Sequence, residues 1–282
     1  MDTKLSILGA AGAALLALAM PAAAATEGYG DCKLFGEAGL ATIEPAVPGQ
    51  LTVIVNLPAV NEFNGDTPET ISTGREFCMA VNLAHRLGLE KVVLKNASFD
   101  SIVAGQNKEF DIALAQISVT EPRKKVVDFS TPYALSAYGL VAKAGADVSE
   151  ANILDKKLGT QAGTTMVQWA QDELKTEKLS VFDDTGAMFT AVAAGNIDLA
   201  MTELSIILGQ AAASNGRLEV VGQFAIGGET AGIYPKGSTA KPVIDQLIAD
   251  MAEDGTLQAL EVEYLAPGWG GKTPADVPVW KH

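Results

Sequence analysis

The chain has 282 residues, 48% of them hydrophobic, and a formal net charge of −14 from 34 acidic and 20 basic side chains. That length and apolar content suit a large packed core in one big domain or two lobes, and the composition is globular, not disordered. Arg123, Lys124 and Lys125 form the only basic cluster, so no nucleic-acid partner is expected; the acidic surface serves solubility and does not by itself imply a cationic ligand.

In chain order, the first 25 residues read as an export signal: Lys4 gives a weakly positive start, an Ala-rich apolar run follows, Pro21 breaks it, and Ala23, Ala24 and Ala25 fit a small-x-small cleavage site. The alternative is an uncleaved membrane anchor, since residues 5–25 carry no charge. Their Ala and Gly content makes them weakly hydrophobic, and cleavage is the expectation. No Cys follows the cleavage site directly, which argues against a lipid anchor there. Cys32 and Cys78 are the two cysteines, and in an oxidising compartment an even count suggests one disulfide, stapling residues 26–50 onto the body. The alternative for Cys78 is a buried apolar residue on a helix.

Residues 51–56 alternate apolar and polar, as a strand does. Thr73, Gly74, Arg75 and Glu76 read as a capping box, followed by Phe77, Ala80, Val81, Ala84 and Leu87 at helical spacing and closed by Gly88. His85 falls on the wet side of that helix; with His282 as the only other imidazole, neither a His-based metal site nor a Ser-His-Asp triad has support, and no metal or cofactor is expected. A short strand at 92–94, a short helix at 98–105 and an apolar strand at 110–117 come next. A turn or short helix opens near Thr120 with Pro122 in its first turn, and 138–142 is another strand.

A second series follows. It has a strand at 157–161, a helix opened by Gly163, Thr164 and Thr165, a strand at 179–182, a helix at 187–194 and a strand at 198–201. A helix at 204–213, a strand at 218–221, an extended segment at 232–234 and a helical tail over 241–266, broken at Gly255, complete it. Strands alternating with helices imply parallel sheets covered on both faces. Two such series, with the chain returning near 227–233, suggest an α/β protein of two lobes sharing a cleft beyond the carboxyl ends of their strands.

Residues 110–133, FDIALAQISVTEPRKKVVDFSTPY, carry the most informative pattern. The run resembles the signature of bacterial extracellular solute-binding proteins of family 3, the polar amino acid type of ABC-transporter receptor. Gly163, Thr164 and Thr165 are similar to that family's second-lobe G-[ST]-T loop, and residues 195–203, GNIDLAMTE, to its G-x-x-D-x-x-x-x-[DE] segment. The resemblance covers about residues 50–266. It implies the two-lobed periplasmic-binding-protein type II fold: residues 51–140 and 230–268 as lobe 1, residues 141–229 as lobe 2, and two hinge strands near 139–142 and 227–233. An extension over 26–50 precedes the lobes and a tail over 269–282 follows. It also implies a periplasmic monomer that closes on an amino acid or similar zwitterion and delivers it to an ABC permease in the inner membrane.

The residues themselves suit those roles. Arg123 offers a planar, permanently charged fork that pairs with a carboxylate, and the resemblance implies that it grips the ligand α-carboxylate; read alone it is equally a solvated cation. Thr165 opens a helix, where free N–H groups favour an anion, and either it or Thr164 is the N-cap. Glu203 matches the family's acid for the ligand ammonium, with a solvated helix-start carboxylate as the alternative. Ser118 adds a hydroxyl, the Ala115 carbonyl an acceptor, and Phe99 an aromatic that packs on the ligand or simply belongs to the core.

Departures from the family concern the side-chain end. Asn56, counted among the ligand contacts, stands near where many members carry Asp, which argues against Lys or Arg as ligand. Phe63 is the candidate for a missing aromatic, Arg75 replaces Phe, Cys78 replaces an acid, and Met166 replaces a residue that is polar in some basic-amino-acid binders. Two rivals remain: an enzyme on the same scaffold, similar to cyclohexadienyl dehydratase with Glu203 as its acid, and a receptor's ligand-sensing module.

Overall fold

The first apolar run forms β1 (Gln50–Val55), and its alternating side chains feed two cores: Leu51, Val53 and Val55 enter one, Ile54 the other. The protein is described by a computed structural model covering residues 28–281, so the expected export signal lies outside the described residues. β1 pairs in parallel with β2 (Lys91–Asn96) on one side and β3 (Ile112–Ser118) on the other. Helix α1 (Arg75–Arg86) buries Phe77, Val81 and Leu83 on one face of this sheet, while α2 (Phe99–Val103) buries Phe99 and Ile102 on the opposite face. The short helix α3 (Glu121–Lys124) follows β3 directly.

The expected capping box does not form. Gly74 occupies the N-cap position without a side-chain cap, and Glu76 turns into the interior, fully buried. There its Oε1 accepts from the Gln116 N–H at 2.9 Å and from the Tyr133 hydroxyl. Beside it Arg75 donates twice to Glu62, at 2.8 Å each, so the Arg that departs from the family pattern is a buried ion-pair partner. Phe63 lies in the first-lobe core.

The two-residue strand β4 (Asp128–Phe129) leads into β5 (Ala134–Lys143), which carries the chain into a second lobe. There β6 (Leu158–Gln161), β7 (Leu179–Phe182) and β8 (Leu199–Glu203) run in parallel. Helix α4 (Thr165–Asp172) packs Met166 and Ala170 on one face; α5 (Thr185–Ala194) and α6 (Leu204–Ala213) pack Met188, Phe189 and Ile207 on the other. The chain returns through one long strand, β9 (Leu218–Tyr234), antiparallel to β3 and β5. The result is a continuous sheet in the order β2-β1-β3-β9-β5-β8-β6-β7, with β4 pairing β9.

The outbound crossing lies earlier than the expected 139–142. Residues 139–142 already pair with β8, so the passage between lobes falls nearer 134–137, where β5 pairs with the upper part of β9. The tail is likewise less regular than one broken helix: α7 (Lys241–Glu253) and α8 (Thr256–Leu260) are followed by a π-helical turn and a 3₁₀ turn ending at Trp269. Among the described residues no helix is long and apolar enough to cross a membrane.

Candidate ligand-binding cleft

The residues after the carboxyl ends of β1, β3, β6 and β8 converge on one cavity between the lobes, as expected where two parallel sheets face each other. Its unfilled space, mouth included, is about 460 Å³. On the first-lobe side, Thr120 accepts from the Arg123 N–H at 3.4 Å and Pro122 stands in the first turn, fixing α3 so that the Arg123 side chain reaches back to the end of β3. The guanidinium is buried, donates to the Ser118 carbonyl at 2.8 Å and lies 5.4 Å from the centre of the Phe99 ring. Burial lowers its pKa to about 10, with Tyr138 and Glu203 opposing, so it stays charged at neutral pH.

On the second-lobe side Glu203 ends β8. Its Oε2 accepts from the Ser136 hydroxyl at 2.6 Å, and burial raises its pKa to about 7 against that hydrogen bond. Thr165 begins α4, and its Oγ1 accepts from the Tyr138 hydroxyl at 2.7 Å. Thr164 holds the N-cap position, but its hydroxyl donates to the Gln161 carbonyl at 2.7 Å and accepts no hydrogen bond from the helix N–H groups.

The lobes touch around this cavity. Arg123 donates to the Gly163 carbonyl at 2.8 Å, Gln161 to the Asn56 side-chain carbonyl at 2.9 Å, Thr185 to the Pro58 carbonyl at 2.8 Å and Ser205 to the Gln116 side chain at 2.8 Å. Gly163 has φ +75, and a Cβ there would lie 2.7 Å from the Cα of Asp100 in the other lobe, so the close approach requires glycine.

All eight expected contacts, Asn56, Phe99, Ala115, Ser118, Arg123, Thr164, Thr165 and Glu203, line the cavity. Arg123 and Glu203 are its charged lining residues, and neither forms a salt bridge among the described residues. Asn56 is already engaged, donating to the Ala97 carbonyl while accepting from Gln161. Sequence reasoning missed Gln161, which ends a parallel strand and was discoverable from that position. It also missed Gln116, held at φ 49 with its N–H on Glu76, a strained position with no sequence signal. Cys32 and Cys78 are joined by a disulfide, as the even count suggested.

Two α/β lobes closed around a shared polar cavity define a solute-binding protein. The profile of bacterial extracellular solute-binding proteins, family 3, matches residues 58–267, and the chain belongs to that family. It is 30% identical over 208 residues to the L-cystine-binding protein TcyJ of Escherichia coli (strain K12), covering 72% of this chain and 77% of that protein. The amino acid ABC transporter substrate-binding protein AbpA from Streptococcus pneumoniae, solved bound to L-arginine, is 26% identical with a TM-score of 0.66, over 78% of this chain and 96% of that one. A solute receptor for L-cysteine of Neisseria gonorrhoeae, 24% identical over 81% of this chain and 95% of that one, shares the fold with a TM-score of 0.71.

Proposed function

We propose that this protein is the amino-acid-binding component of an ABC importer, taking an amino acid with an uncharged side chain. It works as a monomer in the periplasm, after removal of an export signal, and hands its ligand to an inner-membrane permease. The observation that carries the reading is the pair Arg123 and Glu203: opposite charges, one from each lobe, buried at one cavity without an ion partner among the described residues. A buried charge costs several kcal/mol unless it is paired, so a zwitterion bridging the two is the ligand the cavity favours. In this reading Arg123, with Ser118 and Thr165, takes the carboxylate, and Glu203 takes the ammonium. Phe99, Ala115, Thr164 and Asn56 enclose the rest.

The neutral side-chain end follows from the lining. Asn56 and Gln161 satisfy each other, and a ligand side-chain charge would find no counter-charge there. Closure follows from differential binding, because a ligand touching both lobes favours the closed state. The family consists of binding proteins; Glu203, with its raised pKa, is the feature a dehydratase-like rival would use. Mass spectrometry of recovered ligand separates the two, since a binding protein returns it unchanged.

The test is a thermal-shift screen, where a ligand at a hundred times its Kd stabilises by about 2.7 kcal/mol. L-cysteine and L-glutamine are expected to raise the melting temperature, and L-arginine and L-glutamate are not. Arg123→Ala should abolish the shift while leaving a folded protein. Full stabilisation of that variant would refute the carboxylate assignment.

A further inference from the structure

Strand β5 presents two hydroxyls on one face, because side chains two positions apart on a strand point the same way. Ser136 donates to Glu203 Oε2 at 2.6 Å, and Tyr138 donates to Thr165 Oγ1 at 2.7 Å. Both are buried, at 8% and 6% exposure, so these contacts are not exchanged for bulk water. We propose that Ser136 and Tyr138 are positioning residues for the ligand, each orienting one of the second lobe's polar contacts. The proposal rests on the reading that Glu203 and Thr165 hold the two ends of a zwitterion.

The chemistry is directional. A hydroxyl has one proton, and Ser136 gives its proton to Oε2, tying that oxygen back and leaving Oε1 to face an ammonium. Thr165 accepts the Tyr138 proton, so its own hydroxyl hydrogen is free to donate to a carboxylate at the start of α4, where backbone N–H groups also point. The Tyr138–Thr165 contact lies within the second lobe, while Ser136 reaches Glu203 from the crossing segment two residues before Tyr138. Tyr138 is the cross-strand partner of Glu203, and α4 follows β6 of the same sheet. The Tyr138–Thr165 orientation therefore exists without closure, which spares the ligand the entropic cost of ordering these groups. β5 is also a crossing strand, and its register against β9 shifts between Ser136 and Tyr138. One element thus carries both the passage between lobes and the hydroxyls that aim the site.

The charged groups around Glu203 are Arg123 across the cleft and Arg75 and Glu62 from the first lobe, and the neutral but titratable Tyr138 phenol on β5 also faces it. Donation from Ser136 favours the ionised carboxylate, while burial disfavours it. Without that hydroxyl, Glu203 should hold its proton to higher pH.

The first arm of the test needs no ligand. The Glu203 carboxyl is titrated by ¹³C NMR in the wild type and in Ser136→Ala, with Glu203→Gln assigning the signal. A midpoint moved to higher pH in Ser136→Ala, and restored in Ser136→Thr, supports the role of Ser136; an unmoved midpoint overturns it. The second arm is calorimetry with L-cysteine and L-glutamine. Ser136→Ala should bind about tenfold more weakly at pH 7, with the loss shrinking as pH rises, and Tyr138→Phe about fivefold more weakly with no change in its pH profile. The double variant Tyr138→Phe with Thr165→Val should bind no more weakly than Thr165→Val alone; additive losses overturn the Tyr138 half. If neither amino acid binds the wild type, the ligand reading and the Tyr138 half fall together, while the NMR arm still decides on Ser136.

Discussion

Glu203 and Arg123 face the same cavity, yet burial acts on them in opposite directions, raising the acid to about 7 and lowering the guanidinium to about 10. A ligand ammonium favours the ionised carboxylate, so below pH 7 binding must expel a proton. Affinity is therefore expected to rise as pH rises through about 7, by at most tenfold per unit, in calorimetry between pH 5 and 8; Glu203→Gln should flatten the profile. The ligand-free protein should show the reverse trend. Burial, with Glu62 nearby, also raises Glu76 to about 7. A carboxyl whose pKa is higher folded than unfolded binds more protons in the folded state, so its contribution to stability is lost as pH rises from about 4.5 through 7. Denaturant melts of Glu76→Gln should lose part of that pH slope.

Among the elements, α1 is the anchor for the segment before β1. The Cys32–Cys78 disulfide joins the two, and Asn82 accepts from the Phe35 N–H at 2.7 Å while donating to the Lys33 carbonyl at 3.0 Å. One turn on, Arg86 is almost wholly buried, paired with Asp254 at 2.6 Å and Thr256 at 2.9 Å, so the same helix clasps the N-terminal segment and the start of α8. The disulfide closes a separation of 46 residues, which in the chain-entropy model contributes about 4 kcal/mol. Replacing both cysteines by serine should lower the unfolding free energy by about that amount in urea melts, with ligand affinity little changed because the disulfide lies outside the cleft.

In the whole molecule the lobes are linked by more than β5 and β9. After α8 the chain packs Leu265, Trp269 and Val277 against Leu204 and Leu208 of α6, then inserts Trp280 beside Phe224 in the second-lobe core. The tail pairs with Gln223 through Trp280 N–H to the Gln223 carbonyl at 2.8 Å and Gln223 N–H to the Pro278 carbonyl at 2.8 Å. A Cβ on Gly222 would lie 2.3 Å from the indole, so the ring rests on bare backbone. Trp280→Ala should cost about 3–5 kcal/mol in denaturant melts, because it empties a packed ring site. Gly222→Ala should destabilise as well, by displacing the same ring.

Much of the architecture is visible in local pattern. Strand 179–182 and helix 204–213 coincide with the predicted spans because apolar periodicity and turn residues act over a few positions. The signature over 110–133, the GTT loop, the 195–203 segment, Phe99 and the end of the first strand together pointed to eight residues that all line one cavity. The capping box at Thr73 and Glu76 misled because its glutamate is drawn inward by Gln116 on β3 and by Tyr133 just before β5, partners distant in sequence. The roles of Ser136 and Tyr138 were illegible for the same reason: Ser136 meets Glu203 across 67 residues of sequence. By itself, then, the sequence determined the alternation of strands and helices, the family and both charged residues that line the cleft, all of which depend on short spacings. Tertiary structure alone decided which oxygen meets which proton, where the chain crosses between lobes and how its tail reaches the second one, because strand pairing brings together groups whose separation leaves no local trace.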